Sequence, residues 1–184
     1  EVMNTINFNK NQEGVKASPF SGRTIKQYWQ QSPKNISKDI EFLQWFDNHA
    51  SKEEYWVSGY IDLNQRILNK TVLKEIQNTC NKSCLEIVYG GGRILNASQT
   101  MFKNVYGIDV HECKKRVVSL APNQINLNNL CNTENIEEHG KDNSLDLAYS
   151  FIVFQHFDNI KTFQYYVDLI KMKLKKGGIF NIFY

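Results

Sequence analysis

No apolar stretch in the chain approaches eighteen residues, so no membrane-spanning helix is expected. No secretory hydrophobic core stands behind the first residue, Glu1. The four cysteines, Cys80, Cys84, Cys113 and Cys131, form no C-x-x-C pair, and His49, His111 and His139 show no ligand-like spacing with them or with each other. A metal centre and a disulfide scaffold are therefore not expected, and reduced thiols point to a cytoplasmic protein. Charge of one sign is also scarce. A net charge of +3 is too small to imply nucleic acid as a partner. Lys171, Lys173, Lys175 and Lys176 do cluster, but at an expected helix end, where cations complement the helix dipole, so they read as a solvated terminus. There is no internal repeat.

What the chain does hold is the material of a globular domain. Hydrophobic residues make up 41% and aromatics 12% of 184 residues, enough for one domain with a sizeable core. Residues 1–22 are polar, asparagine-rich and without a hydrophobic period, and read as an N-terminal arm. Residues 23–82 read as a helical segment packing on the core domain. Within it Pro33 interrupts any helix after Arg23 to Gln31, and Ser37 is placed as the N-cap of a helix with Ile40, Leu43, Phe46 and Ala50 at helical spacing. A second helix is expected over Asp62 to Gln77. Tyr28, Trp29, Trp45, Tyr55 and Trp56 suit an apolar pocket or a lid, although packing against a sheet is the commoner use of such rings and is the expectation here.

Residues 83–184 alternate between strand and helix, as a parallel βαβ layout requires. Strands are expected at Leu85 to Tyr89, Val105 to Ile108, Gln124 to Leu127, Leu145 to Ser150 and Ile179 to Phe183, the fourth being central. Helices are expected at Ile94 to Phe102, Glu112 to Leu120 and around Phe163 to Leu174. The centre of the pattern is Cys84 to Arg93, C-L-E-I-V-Y-G-G-G-R. Three glycines where a strand meets a helix allow a tight turn and a close ligand approach, and the helix start offers unpaired N–H groups. Sixteen residues beyond Arg93, Asp109 ends the next strand, where an acid suits the hydroxyls of a ribose. A dinucleotide G-x-G-x-x-G begun at Gly90 would need glycine at Leu95, so that site is disfavoured.

The stretch resembles instead the E/D-x-G-x-G-x-G turn of class I S-adenosylmethionine-dependent methyltransferases, with Glu86 as the acid, Gly90 and Gly92 as the second and third glycines, and Val88 in place of the first. The likeness runs on through Gly107 to Asp109, Asn143 to Phe157 and Leu174 to Phe180, and covers roughly the last hundred residues. It implies an α/β fold with a doubly wound, mainly parallel, Rossmann-like sheet behind an N-terminal helical segment. It also implies S-adenosylmethionine as cofactor, S-adenosylhomocysteine as product and a small-molecule acceptor. The cofactor would meet Glu86, Val88, Tyr89, Gly90, Gly92, Asp109 and Val110, with Asn128 and Asn129 near the adenine, and Ser150, Phe151, Ile152 and Gln155 at the edge of its pocket. His156 would be the candidate proton acceptor. Strands six and seven of that family are not visible, so the fifth strand offers an open edge at which two copies of the chain could pair. The alternative function is a catalytically silent methyltransferase-like domain with a binding or assembly role, favoured by Val88 and by the absence of a second partner for His156.

Overall fold

The computed structural model describes residues 25–132, 141–157 and 160–184; the arm at 1–22 and His139 lie outside the described residues. Five parallel strands form one sheet: β1 (Ser83–Ile87), β2 (Asn104–Asp109), β3 (Leu130–Asn132), β4 (Leu145–Phe151) and β5 (Leu174–Phe183), in the order β3-β2-β1-β4-β5. The chain winds outward from β1 to β3, then crosses back to place β4 on the other side of β1. That reversal opens a crevice beyond the carboxyl ends of β1 and β4, the usual place for a ligand in such a sheet. Both central strands are buried along nearly their whole length, which explains why their sequences read as continuous apolar runs.

Helices α5 (Arg93–Ser98), α6 (Lys114–Leu120) and α7 (Ile160–Lys173) are crossovers, and α1 (Ile25–Gln31), α2 (Asp39–Phe46), α3 (Lys52–Asp62) and α4 (Lys70–Ile76) precede the sheet. One apolar core joins α2, α3, α4 and α5 to one face through Leu43, Tyr55, Val72, Leu95 and Tyr149. A second, smaller core joins α7 to the other face through Ile87, Ala148, Tyr166 and Ile170.

Several local expectations are corrected. Ser37 does not cap α2; the preceding residue Lys38 makes no side-chain cap, and the carbonyls of Ile36 and Ser37 accept instead from Arg116 of α6, which also pairs with Asp39 at 3.0 Å. The cap that sequence reading missed is Ser51, whose Oγ accepts from Glu54 N–H at 3.1 Å, while Glu54 reaches back to the N–H of Ala50 at 3.0 Å. The helix expected over 62–77 is two pieces. A wide turn, closed by Leu68 N–H to Leu63 O at 2.7 Å, interrupts it, and Asn69 restarts it by accepting from Thr71 and Val72. The third strand lies at Leu130–Asn132 rather than 124–127, because the Asn126 side chain closes a turn over Leu127–Asn129. The lysines around the end of α7 are not all solvated: Lys173 is buried and pairs with Asp142 at 3.0 Å, and Lys175 pairs with Asp146 at 2.8 Å. No helix among the described residues is long and apolar enough to cross a membrane.

Candidate cofactor-binding cleft

A cleft of about 590 Å³ opens at the carboxyl ends of β1, β2 and β4. Its floor is the glycine turn. Val88 leaves β1 with its N–H bonded to Ile108 O at 2.7 Å and φ at +59°; Gly90 and Gly92 follow at +54° and +87°. Glycine is at ease there, but a β-branched residue in the left-handed region is strained. Ile152, on the loop after β4 and also lining the cleft, stands at +55°, its N–H held by Phe183 O at 2.7 Å. Two of the four non-glycine residues at positive φ among the described residues, Val88 and Ile152, thus stand on the lining of one cleft, the others being Gln77 and Asn143; strained backbone is common at functional sites.

Asp109, 1% exposed, ties the next strand to the turn. One carboxylate oxygen accepts from Gly90 N–H at 2.7 Å and the other from His111 N–H at 3.2 Å. The buried His111 completes the clamp. Its Nδ1 accepts from Cys113 N–H at 3.1 Å, so Nε2 carries the proton and donates to Gly90 O at 2.8 Å. Burial lowers the His111 pKa, but the Asp109 carboxylate 3.6 Å away and the hydrogen bonds with Cys113 and Gly90 together outweigh it, and the net shift is upward.

Glu86, 3% exposed, ends β1 on the same cleft. It accepts from the Tyr149 hydroxyl at 3.3 Å and from the N–H of Leu95, satisfying one of the free donors at the start of α5. Tyr149 in turn bonds Ser98 at 2.7 Å, so a polar chain runs from the cleft into the core. Burial pushes the Glu86 carboxyl well above its ordinary range, with Asp109 adding to the rise and Arg93 and the Tyr149 bond opposing it.

The N-terminal helices roof the cleft. Trp29, Phe46, Asp47 and Tyr55 line it, with Trp29 stacked on Phe46 at 6.5 Å between ring centroids. Phe46 lies on the glycine turn: a Cβ on Gly90 would come within 3.1 Å of its ring, and one on Gly91 would overlap the Tyr55 hydroxyl. Arg93 fastens roof to floor. Its Nη1 meets Asp62 at 2.5 Å, its Nε meets Asp47 at 2.8 Å, and its guanidinium lies 5.1 Å from the Phe151 ring centroid.

Of the residues expected from the sequence, Glu86, Val88, Tyr89, Gly90, Asp109, Val110, Phe151, Ile152 and His156 line the cleft. Gly92 stands behind it as the N-cap of α5, packed so closely on α6 that a Cβ would lie 2.5 Å from Val117. Asn128 is an exposed turn residue, and Asn129 spends its side chain on Val105 O at 3.1 Å. The strand register instead sets Asn132 beside Asp109, its Nδ2 donating to Val110 O at 3.1 Å. Ser150 is fully buried behind the cleft, and Gln155 is exposed, 3.3 Å from His156. Sequence reasoning missed Phe46, Asp47, Arg93 and His111. Arg93 had a signal, standing directly after the glycines; the other three come from segments whose position only packing sets. Tyr55 and Trp56 lie in the core as expected, Tyr55 also reaching the cleft, whereas Trp29 lines the cleft.

Residues 85–182, more than half of the chain, match a family model described as a methyltransferase domain. The chain belongs to that methyltransferase family. A search of curated proteins returns no match. Among solved structures, the chain is similar to an S-adenosylmethionine-dependent methyltransferase from Aquifex aeolicus, at 22% identity over 76% of this chain and 69% of that one (TM-score 0.46). It is also similar to one from Mesorhizobium loti, at 15% identity over 65% and 53% (TM-score 0.46). A third is the geranyl diphosphate C-methyltransferase of Streptomyces coelicolor, at 12% identity over 85% and 61% (TM-score 0.48). The chain thus spans little more than half the length of some of these relatives.

Methyltransferases of this family use S-adenosylmethionine, and the residues of the cleft fit it. Each oxygen of Asp109 holds one N–H and keeps a second lone pair, as ribose hydroxyls need. Gly90, at positive φ and without a side chain, leaves the backbone of the turn bare on the side where the Phe46 ring rests. Glu86 supplies a second acid at the neighbouring strand end, on the same cleft.

Proposed function

We propose that the chain is an S-adenosylmethionine-dependent methyltransferase acting on a small-molecule acceptor. One observation supports this most: Glu86 and Asp109, at the ends of adjacent parallel strands, face one cleft with the glycine turn between them. When bound, the cofactor supplies a methyl group made electrophilic by its sulfonium. Asp109 would hold the ribose hydroxyls through its remaining lone pairs, and Val88 to Gly90 would run beside the methionine chain. Glu86, with Tyr149 behind it, would face the methionine amino group. Tyr89 and Val110 would flank the adenine. Trp29, Phe46 and Tyr55 keep water from the reacting centre, and the cleft beneath them is of a size for small molecules. Calorimetric titration with S-adenosylhomocysteine tests the reading: saturable binding by the folded protein is expected, and a folded protein that does not bind it overturns the proposal.

A second reading, a methyltransferase-like domain that binds without turnover, is favoured by one contact. The Phe46 ring rests on Gly90 and Gly91, on the face of the turn that a bound cofactor would use. Its signature would be S-adenosylhomocysteine binding without methyl transfer from radiolabelled S-adenosylmethionine, with the binding tightened in Phe46→Ala. Turnover by the native chain removes it.

A further inference from the structure

We infer that the acceptor handled in this cleft is an amine, methylated as a neutral nitrogen and released as an ammonium; this rests on reading the same cleft as a methyl-transfer site. The charge inventory carries it. Among the described residues the lining holds three acids, Asp47, Glu86 and Asp109, of which burial favours the neutral form of Glu86, and one permanent cation, Arg93; no lysine lines it. That cation is already engaged, by Asp62 at 2.5 Å and by Asp47 at 2.8 Å. With Glu86 and Asp109 turned to the cofactor and Asp47 held by Arg93, a carboxylate or phosphate acceptor would lose its water and find no cation free to receive it, which is unfavourable.

The rest of the wall is aromatic: Trp29, Phe46, Tyr55, Phe151, Phe157 and Tyr166. Ring faces attract a cation within about 6 Å, more strongly where water is excluded. One ring of this cleft already does so, since Phe151 holds the Arg93 guanidinium at 5.1 Å. The wall therefore suits positive charge and rejects negative charge.

The chemistry has the same balance. The nitrogen lone pair forms a bond to the methyl carbon, the carbon–sulfur bond breaks with its electron pair passing to sulfur, and one positive charge moves from sulfur to nitrogen. An amine that arrives as its ammonium first gives one proton to solvent, because only the neutral nitrogen has a lone pair to donate. From then on the cleft faces a single positive charge, and the product leaves as an ammonium with no further base needed for the transfer. A phenol or carbon acid would first have to become an anion among these acids and ring faces. The imidazole on the lining, His156, is an exposed group at the rim beside Gln155.

Isothermal titration with three probes of one shape tests this, with and without S-adenosylhomocysteine. Choline stands for the ammonium product, 3,3-dimethylbutan-1-ol is its uncharged isostere, and 3,3-dimethylbutanoate carries the opposite charge. Choline is expected to bind about tenfold more tightly than the alcohol, with the butanoate weakest. Trp29→Leu and Phe151→Leu, each removing a ring while keeping bulk, should each cut that preference several-fold. Equal affinities, no binding of choline, or tighter binding of the anion overturns the inference. If S-adenosylhomocysteine binds and choline shows no preference, only this inference falls. If S-adenosylhomocysteine does not bind, the methyl-transfer reading falls, and the titrations of the ligand-free protein decide the charge preference on their own.

Discussion

At the scale of the residue, the cleft is built from positions where local preference is overridden. Val88 was legible as a departure from the glycine pattern, but its backbone was not; the φ of +59° is imposed by its bond to Ile108 O and by the turn that follows. In the left-handed region a Cβ costs about 1–2 kcal/mol. Val88→Gly should therefore be more stable than Val88→Ala by about 1 kcal/mol in urea denaturation, the reverse of the usual order of alanine and glycine. Asp109→Ala should weaken S-adenosylhomocysteine binding about ten- to a hundredfold, since charge-assisted hydrogen bonds contribute roughly 1.5–3 kcal/mol. It should also lower the melting temperature, because Gly90 and His111 lose their acceptor. Glu86 gives a pH test. Its folded carboxyl binds a proton more tightly than the unfolded one, whose value is near 4.5, so the folded state carries the extra proton above that pH. Stability referred to Glu86 is then full below pH 4.5 and is lost as pH rises through the folded value. Thermal melts of Glu86→Gln against the native chain should diverge in favour of the variant between pH 5 and pH 8. Parallel curves would mean that Glu86 is ionised at little cost.

At the scale of the element, strands and helices with a clear period were legible, and their junctions were not. β1, β2, β4 and α7 stand where their apolar patterns put them, because burial on the sheet demands those patterns. β3 was misplaced because three residues at a sheet edge carry too little pattern, and the break after Asp62 was missed because the apolar spacing continues through it. The roof depends on close backbone packing that no period announces. A Cβ on Gly59 of α3 would overlap the Arg93 carbonyl oxygen at the start of α5. Gly59→Ala is accordingly expected to cost about 1–3 kcal/mol of stability. Since α3 also carries Tyr55 to the cleft, the same variant should weaken S-adenosylhomocysteine binding, whereas Val57→Ala, on the exposed face of α3, should leave both nearly unchanged. Calorimetry and chemical denaturation of the two variants side by side make the check.

At the scale of the whole molecule, roof and floor belong to segments far apart in sequence, so a ligand between them should stabilise the fold as a unit. With S-adenosylhomocysteine at about a hundred times its Kd, linkage predicts roughly 2.7 kcal/mol of added stability. For a domain of this size that is a rise of about 5–10 °C in Tm by scanning calorimetry; a smaller shift at saturation would place binding on a part of the molecule that melts separately. The sequence by itself determined the alternation of strand and helix, the glycine turn after Glu86 and the acid at Asp109, because each is a local demand of backbone geometry or of spacing along one strand–turn–helix unit. Only the tertiary structure decided that Phe46 and Tyr55 would lie on the glycines, that His111 would clamp Gly90 to Asp109, and that Asp47 and Asp62 would occupy Arg93. Those contacts join residues whose separation in the chain carries no pattern, and they exist only once helices and sheet have buried their apolar faces against each other.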